Sequence, residues 1–118
     1  MMAIGGESGP TLRFLIVEDD ADYANYLETM IASVCPTNRG IKRTESAAEA
    51  IDLLRGSFFD VCFLDYFLTD GGTGFDVLNG LKDKNLLTAF VFLTMNTKRQ
   101  TAFEALQLGA MDYLIKAK

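Results

Sequence analysis

Leu12-Arg13-Phe14-Leu15-Ile16-Val17-Glu18-Asp19 sets a β-prone, mostly apolar run directly against two carboxylates. A second run, Val61-Cys62-Phe63-Leu64, ends in the same way on Asp65. Runs of this kind predict strands covered on both faces, as in buried parallel sheets. If the two strands are parallel neighbours, their carboxyl ends share one edge of the sheet, the edge at which open α/β folds bind ligands. Glu18, Asp19 and Asp65 then converge on one crevice. Crowded carboxylates repel and raise each other's pKa unless a cation lies among them. An all-oxygen site with few protein ligands and room for water suits magnesium.

Outward from these two runs, the chain alternates between two periods. Tyr23, Leu27, Met30, Ile31 and Val34 fall on one face of a helix that ends near Cys35-Pro36. Ile41 to Thr44 is a shorter, more polar strand suited to a sheet edge. Ser46-Ala47-Ala48-Glu49 has the form of a capping box, opening a helix that stops at Gly56. The second apolar strand extends from Phe59 to Leu64. Past a Gly-rich loop, Phe75, Val77, Leu78 and Leu81 mark a third helix, followed by a strand from Ala89 to Thr94. Thr97 with Gln100 opens a fourth helix reaching Gly109, with Ala102, Phe103, Leu106 and Ala110 along one side, and Met111 to Ile115 forms the last strand. Four βα units and a fifth strand imply a parallel sheet with helices on both faces and right-handed crossovers.

A length of 118 residues suits one domain, and 49% apolar with 23% charged residues is the composition of a chain that buries its own core. The net charge of −5, with no basic stripe, excludes direct nucleic-acid binding by this segment as an expectation. Without His or a CxxC pair a zinc site is not expected, and Cys35 and Cys62 read as reduced thiols of a cytoplasmic protein. No apolar run is long enough to span a membrane. Residues 1–10, Gly-rich and without a signal-peptide pattern, read as a disordered leader, leaving 11–118 as the domain.

Five motifs now stand in order: Val17-Glu18-Asp19-Asp20, Phe63-Leu64-Asp65-Tyr66, the turn Gly72-Thr73-Gly74-Phe75-Asp76-Val77-Leu78, Leu93-Thr94, and Gly109-Ala110-Met111-Asp112-Tyr113-Leu114-Ile115-Lys116. From about Leu12 to Lys116 the chain resembles the receiver domain of bacterial two-component response regulators. The resemblance implies a flavodoxin-like open sheet of five parallel strands in the order 2-1-3-4-5. It implies that Asp65 is the phosphoacceptor and that Glu18, Asp19, Asp65 and the backbone carbonyl of Phe67 hold Mg²⁺. Lys116 and the Thr94 hydroxyl are implied to bind the phosphoryl oxygens, and Tyr113 to act as the switch aromatic. The implied partners are a sensor histidine kinase or phosphotransfer protein and a downstream output domain. The only chemistry implied is phosphorylation and dephosphorylation of the domain itself, so it is not expected to be an enzyme. The alternative is a pseudo-receiver that binds partners without phosphorylation. A dehalogenase-type phosphatase needs a second acid where Phe67 stands, and a flavin phosphate would be repelled by Glu18 and Asp19.

Taken one at a time, the same residues have plainer readings. Asp20 is expected at or near a helix cap, Thr94 reads alone as a strand-end residue, Lys116 as a solvated side chain and Tyr113 as a half-buried strand aromatic. Gly71, Gly72 and Gly74 are expected to serve turns with positive φ, and Cys62 to fill the core. The chain also departs from the family pattern. Thr69 stands where a Pro is usual and the loop is one residue longer. Met95 is expected to crowd access to Asp65. Ala117 replaces the Pro that usually follows the Lys. The family's fifth helix is expected to be missing, since only Ala117 and Lys118 remain after the strand-end Lys116. A chain cut from a longer protein is the expectation, with an uncovered apolar face able to form a homodimer.

Overall fold

Phe14, Leu15, Ile16 and Val17 are each 7% exposed or less, which places this strand inside a sheet and not at its edge. The computed structural model describes residues 11–66, 68, 70–81, 83, 87–94, 107 and 112–116. Along it run β1 (Phe14–Val17), α1 (Ala21–Val34), β2 (Ile41–Thr44), α2 (Ala47–Gly56), β3 (Val61–Asp65), α3 (Gly74–Gly80), β4 (Ala89–Thr94) and β5 (Asp112–Ile115). Every pairing is parallel and the order is β2-β1-β3-β4-β5, the flavodoxin-like arrangement expected.

The strand period of two divides the core between the faces. Leu15 and Val17 join Cys62, Leu64, Phe90 and Phe92 under α2 and α3, whose Ala50, Leu54, Val77 and Leu78 are buried against them. Phe14 and Ile16 face the other way and pack with Ala24, Leu27 and Ile31 of α1 and with Leu93. On this second face Phe14, Met30, Ile31, Val34, Cys35 and Phe63 line an open apolar groove of about 210 Å³. Val34, expected on the buried stripe of α1, is 78% exposed, because the stripe turns away from the sheet in the last helical turn.

Strand and helix ends follow where the backbone hydrogen bonds go. Arg13 N donates to Asp60 Oδ2 at 2.7 Å, a side-chain partner, so β1 starts at Phe14 and not at Leu12. Asp60 is held in that exchange, and β3 accordingly begins at Val61, two residues later than expected, and includes Asp65. Asp20 is the N-cap of α1, its Oδ1 accepting from the amides of Asp22 and Tyr23. Ser46 caps α2 by accepting from Glu49 N at 3.1 Å. The return arm of the expected capping box is absent among the described residues, because the Glu49 carboxylate instead accepts from the Thr44 hydroxyl. A complete box, between Thr73 and Asp76, opens α3. Asp70 adds a second anchor to α2, accepting from the amides of Ala47 and Ala48. With those two amides still satisfied, Ser46→Ala strands only the Glu49 N–H and is expected to cost about 1 kcal/mol. A lower urea midpoint at unchanged slope is the readout.

Gln107, helical and exposed, is the one described residue of the expected fourth helix. The leader, Phe67, Thr69, Met95 and Ala117 lie outside the described residues.

Candidate functional site

Parallel pairing of β1 with β3 sets Val17 level with Leu64, so Glu18 and Asp65 leave their strands side by side. One carboxylate oxygen from each of Glu18, Asp19 and Asp65 lies within 4.8 Å of the others. Glu18 is buried at 3% exposure and Asp65 at 6%, while Asp19 is exposed at the rim. Glu18 Oε2 accepts from Asp20 N at 3.0 Å, and Asp65 Oδ1 from Tyr66 N at 2.9 Å. Lys116, directly after β5, brings its Nζ to 2.8 Å from Glu18 Oε1 and 3.5 Å from Asp65 Oδ2. The Tyr23 ring, on the first turn of α1, lies with its centroid 5.0 Å from the same Nζ.

Among the described residues, Glu18 and Asp65 share the one ammonium of Lys116, with the Asp19 carboxylate beside them. Burial, reinforced by the adjacent Glu18 charge, pushes the Asp65 carboxyl up to about 7 against the opposing pull of Lys116 and the Tyr66 amide. Burial pulls the Lys116 pKa down, but pairing with Glu18 and Asp65 outweighs it and leaves the ammonium above its ordinary value. Glu18 Oε1 is fully buried and has no aligned hydrogen bond among the described residues; the Lys116 ammonium is its close counter-charge. Crowded carboxylates that share an ammonium, in an all-oxygen donor set, fit a hard divalent cation such as Mg²⁺.

The loop after Asp65 folds back over it. Gly74 N donates to Tyr66 O at 2.8 Å, and a Cβ at Gly74 would lie 2.7 Å from the Asp65 carbonyl oxygen and 2.8 Å from the Phe92 ring. Gly74 is therefore a close-approach glycine, and the expected positive φ occurs in this loop at Gly71 alone, with φ 83°. Thr94 ends β4 opposite Ile115 at this edge of the sheet, and Tyr113, paired with Phe92, lies two residues inside it. The side chains of Thr94 and Tyr113, and all of Phe67, lie outside the described residues. Sequence reasoning missed the Tyr23 ring beside Lys116. It assigned Tyr23 to the helix core by periodicity, although its place three residues after the Asp20 cap was the signal that it lies at the site's edge.

Residues 14–118 match the family model described as response regulator receiver domain. The chain is 34% identical over 104 residues to the alginate biosynthesis transcriptional regulatory protein AlgB of Pseudomonas putida, covering 88% of this chain and 22% of that one. It is 31% identical over 102 residues to the response regulator SaeR of Staphylococcus epidermidis, covering 86% and 42% respectively. The chain thus spans less than half the length of these relatives. Among solved structures it is similar to the signal receiver domain of a LuxO-type repressor from Vibrio parahaemolyticus, with a TM-score of 0.80, 25% identity and 92% and 81% of the two chains covered. The receiver fold is shared with TrrA of Thermotoga maritima in complex with Mg²⁺-BeF, at a TM-score of 0.74 and 20% identity over 90% and 87% of the chains. No helix among the described residues is long and apolar enough to cross a membrane.

Proposed function

The chain belongs to the response regulator receiver domain family, and on that premise we propose that residues 11–118 form a phosphorylation-operated switch of a two-component phosphorelay. The observation that carries this reading is a buried strand-end carboxylate, Asp65, clustered with Glu18 and Asp19 and set beside the Lys116 ammonium. A sensor histidine kinase or phosphotransfer protein supplies the phosphoryl group. An oxygen of ionised Asp65 attacks the phosphorus of the partner's phosphohistidine, the phosphorus–nitrogen bond breaks, and the imidazole leaves with that electron pair. Asp65 becomes an acyl phosphate.

Lys116, a point charge on a flexible stem, transfers its ammonium from Glu18 to the new phosphoryl oxygens. The Thr94 hydroxyl donates to another of those oxygens, and Tyr113 turns inward as the hydroxyl is drawn over. Glu18, Asp19, Asp65 and the backbone carbonyl of Phe67 would hold Mg²⁺, which when bound neutralises charge on the transferring group. Water later attacks the acyl phosphate and releases inorganic phosphate, which resets Asp65. The relatives are longer and AlgB is a transcriptional regulatory protein, which supports an output domain joined to this one in a cytoplasmic regulator.

The test is a titration of beryllofluoride with Mg²⁺, followed by thermal unfolding, in the wild-type chain and in Asp65→Asn. A ligand at a hundred times its Kd stabilises the folded state by about 2.7 kcal/mol. The expected result is a magnesium-dependent rise in the midpoint that is lost in Asp65→Asn. No shift in a folded wild-type chain refutes the switch and leaves the phosphorylation-independent interaction module.

A further inference from the structure

We infer that Tyr23 is a positioning residue for Lys116, its ring face giving the ammonium a seat that no cation can take from it. The phosphoryl-binding consequence rests on the switch reading above; the contact itself does not. Among the described residues, Lys116 Nζ has three electron-rich neighbours, the Glu18 carboxylate at 2.8 Å, the Asp65 carboxylate at 3.5 Å and the Tyr23 ring at 5.0 Å from its centroid. The distance to the ring lies within the reach of a cation–π interaction, which strengthens as the ammonium is desolvated. The Lys116 side chain is only 10% exposed.

The three neighbours differ in what a bound cation does to them. Glu18 and Asp65 are also the oxygens that a divalent ion would use, so its arrival withdraws charge from both and frees the ammonium. The aromatic face ligates no hard cation and keeps its attraction. Lys116 then stays at the rim, next to Asp65, and is not released into water. Tyr23 is itself supported: Tyr26 packs against it with centroids 5.6 Å apart, and its inner edge packs on the α1 side of the core.

Two readouts test this, one independent of phosphoryl chemistry. In the first, the rate of reductive methylation at Lys116, measured by peptide mass spectrometry with saturating Mg²⁺, is expected to rise several-fold in Tyr23→Leu and to stay within two-fold of wild type in Tyr23→Phe. In the second, magnesium-dependent beryllofluoride affinity is expected to fall roughly three- to thirty-fold in Tyr23→Leu, the range a partly to fully desolvated cation–π contact spans. Tyr23→Phe retains it, and Mg²⁺ affinity alone changes less than two-fold in both. Unchanged methylation and affinity in a folded Tyr23→Leu overturn the inference, and so does equal loss in Tyr23→Phe, which would assign the effect to the hydroxyl. Should Tyr23→Leu not fold, ring-fluorinated phenylalanine at position 23 weakens the π face at nearly constant shape. Methylation unaffected by fluorination then overturns the inference. If wild-type chain binds no beryllofluoride, the switch reading fails while the methylation arm still decides this one.

Discussion

Asp65→Asn is expected to make the magnesium-free chain more stable at pH 8, by roughly 1 to 3 kcal/mol, and to flatten its stability between pH 4 and 7. The sign follows from the direction of the shift. Burial and the Glu18 charge raise the folded-state carboxyl from its ordinary 3.8 to about 7. Between those values the folded chain holds a proton that the unfolded chain has released, so stability is highest at the acid end and falls as pH rises through the window. Each pKa unit corresponds to about 1.4 kcal/mol, and solvent at the Asp19 rim screens part of it, which sets the lower end of the range. The neutral amide carries no such charge. Urea unfolding of both chains in chelator at pH 5 and pH 8 measures it. Parallel behaviour of the two proteins across that interval would remove the electrostatic account of the pocket. Mg²⁺ at pH 8 should recover the wild-type deficit and leave Asp65→Asn nearly unchanged.

Phe92→Ala is expected to cost about 3 to 5 kcal/mol, the range for deleting a fully buried aromatic ring. Phe92 has no exposed surface, stacks on Phe75 at 5.1 Å and 21° between planes, and meets Tyr66 edge-on at 6.4 Å. Tyr66 and Phe75 complete the triangle at 5.1 Å and 88°. Collapse into the cavity is opposed because Gly74 has no side chain to move in and its backbone is fixed by the bond to Tyr66 O. For a domain whose whole stability is of the order of 5 to 15 kcal/mol, such a loss is a large fraction. Phe92→Leu keeps most of the volume and should lose much less. A urea-derived cost for Phe92→Ala below about 1.5 kcal/mol would mean that the ring cluster relaxes to fill the space.

The sheet was legible because β1 and β3 are apolar on both faces, a pattern that only a covered strand requires, and because Ile41–Thr44 carries Lys42 and Arg43, which suit an edge. Boundaries were less legible, since Asp60 takes the Arg13 amide and shortens both flanking strands, a long-range bond without a local signature. The capping box at Ser46 was half right for the same reason: Glu49 had a better partner in Thr44, a residue of the preceding strand. Helical periodicity placed Val34 in the core but could not say where the sheet beneath it ends. Convergence of Glu18, Asp19 and Asp65 was readable from strand ends alone, given parallel pairing. The roles of Phe67, Thr94 and Tyr113 came from the family resemblance and not from spacing.

Lys116 and Glu18 meet across the whole sequence, one directly after the last strand of the sheet and the other directly after the first. Such a contact carries a large loop-closure cost, and β3 and β4 lie between its ends in the sheet. The pocket is thus also a proof of assembly. A nascent or partly folded chain can display Asp65 on β3, but the Lys116 ammonium does not stand beside it until β5 has docked, so under the proposed function an unfinished chain would lack part of its phosphoryl site.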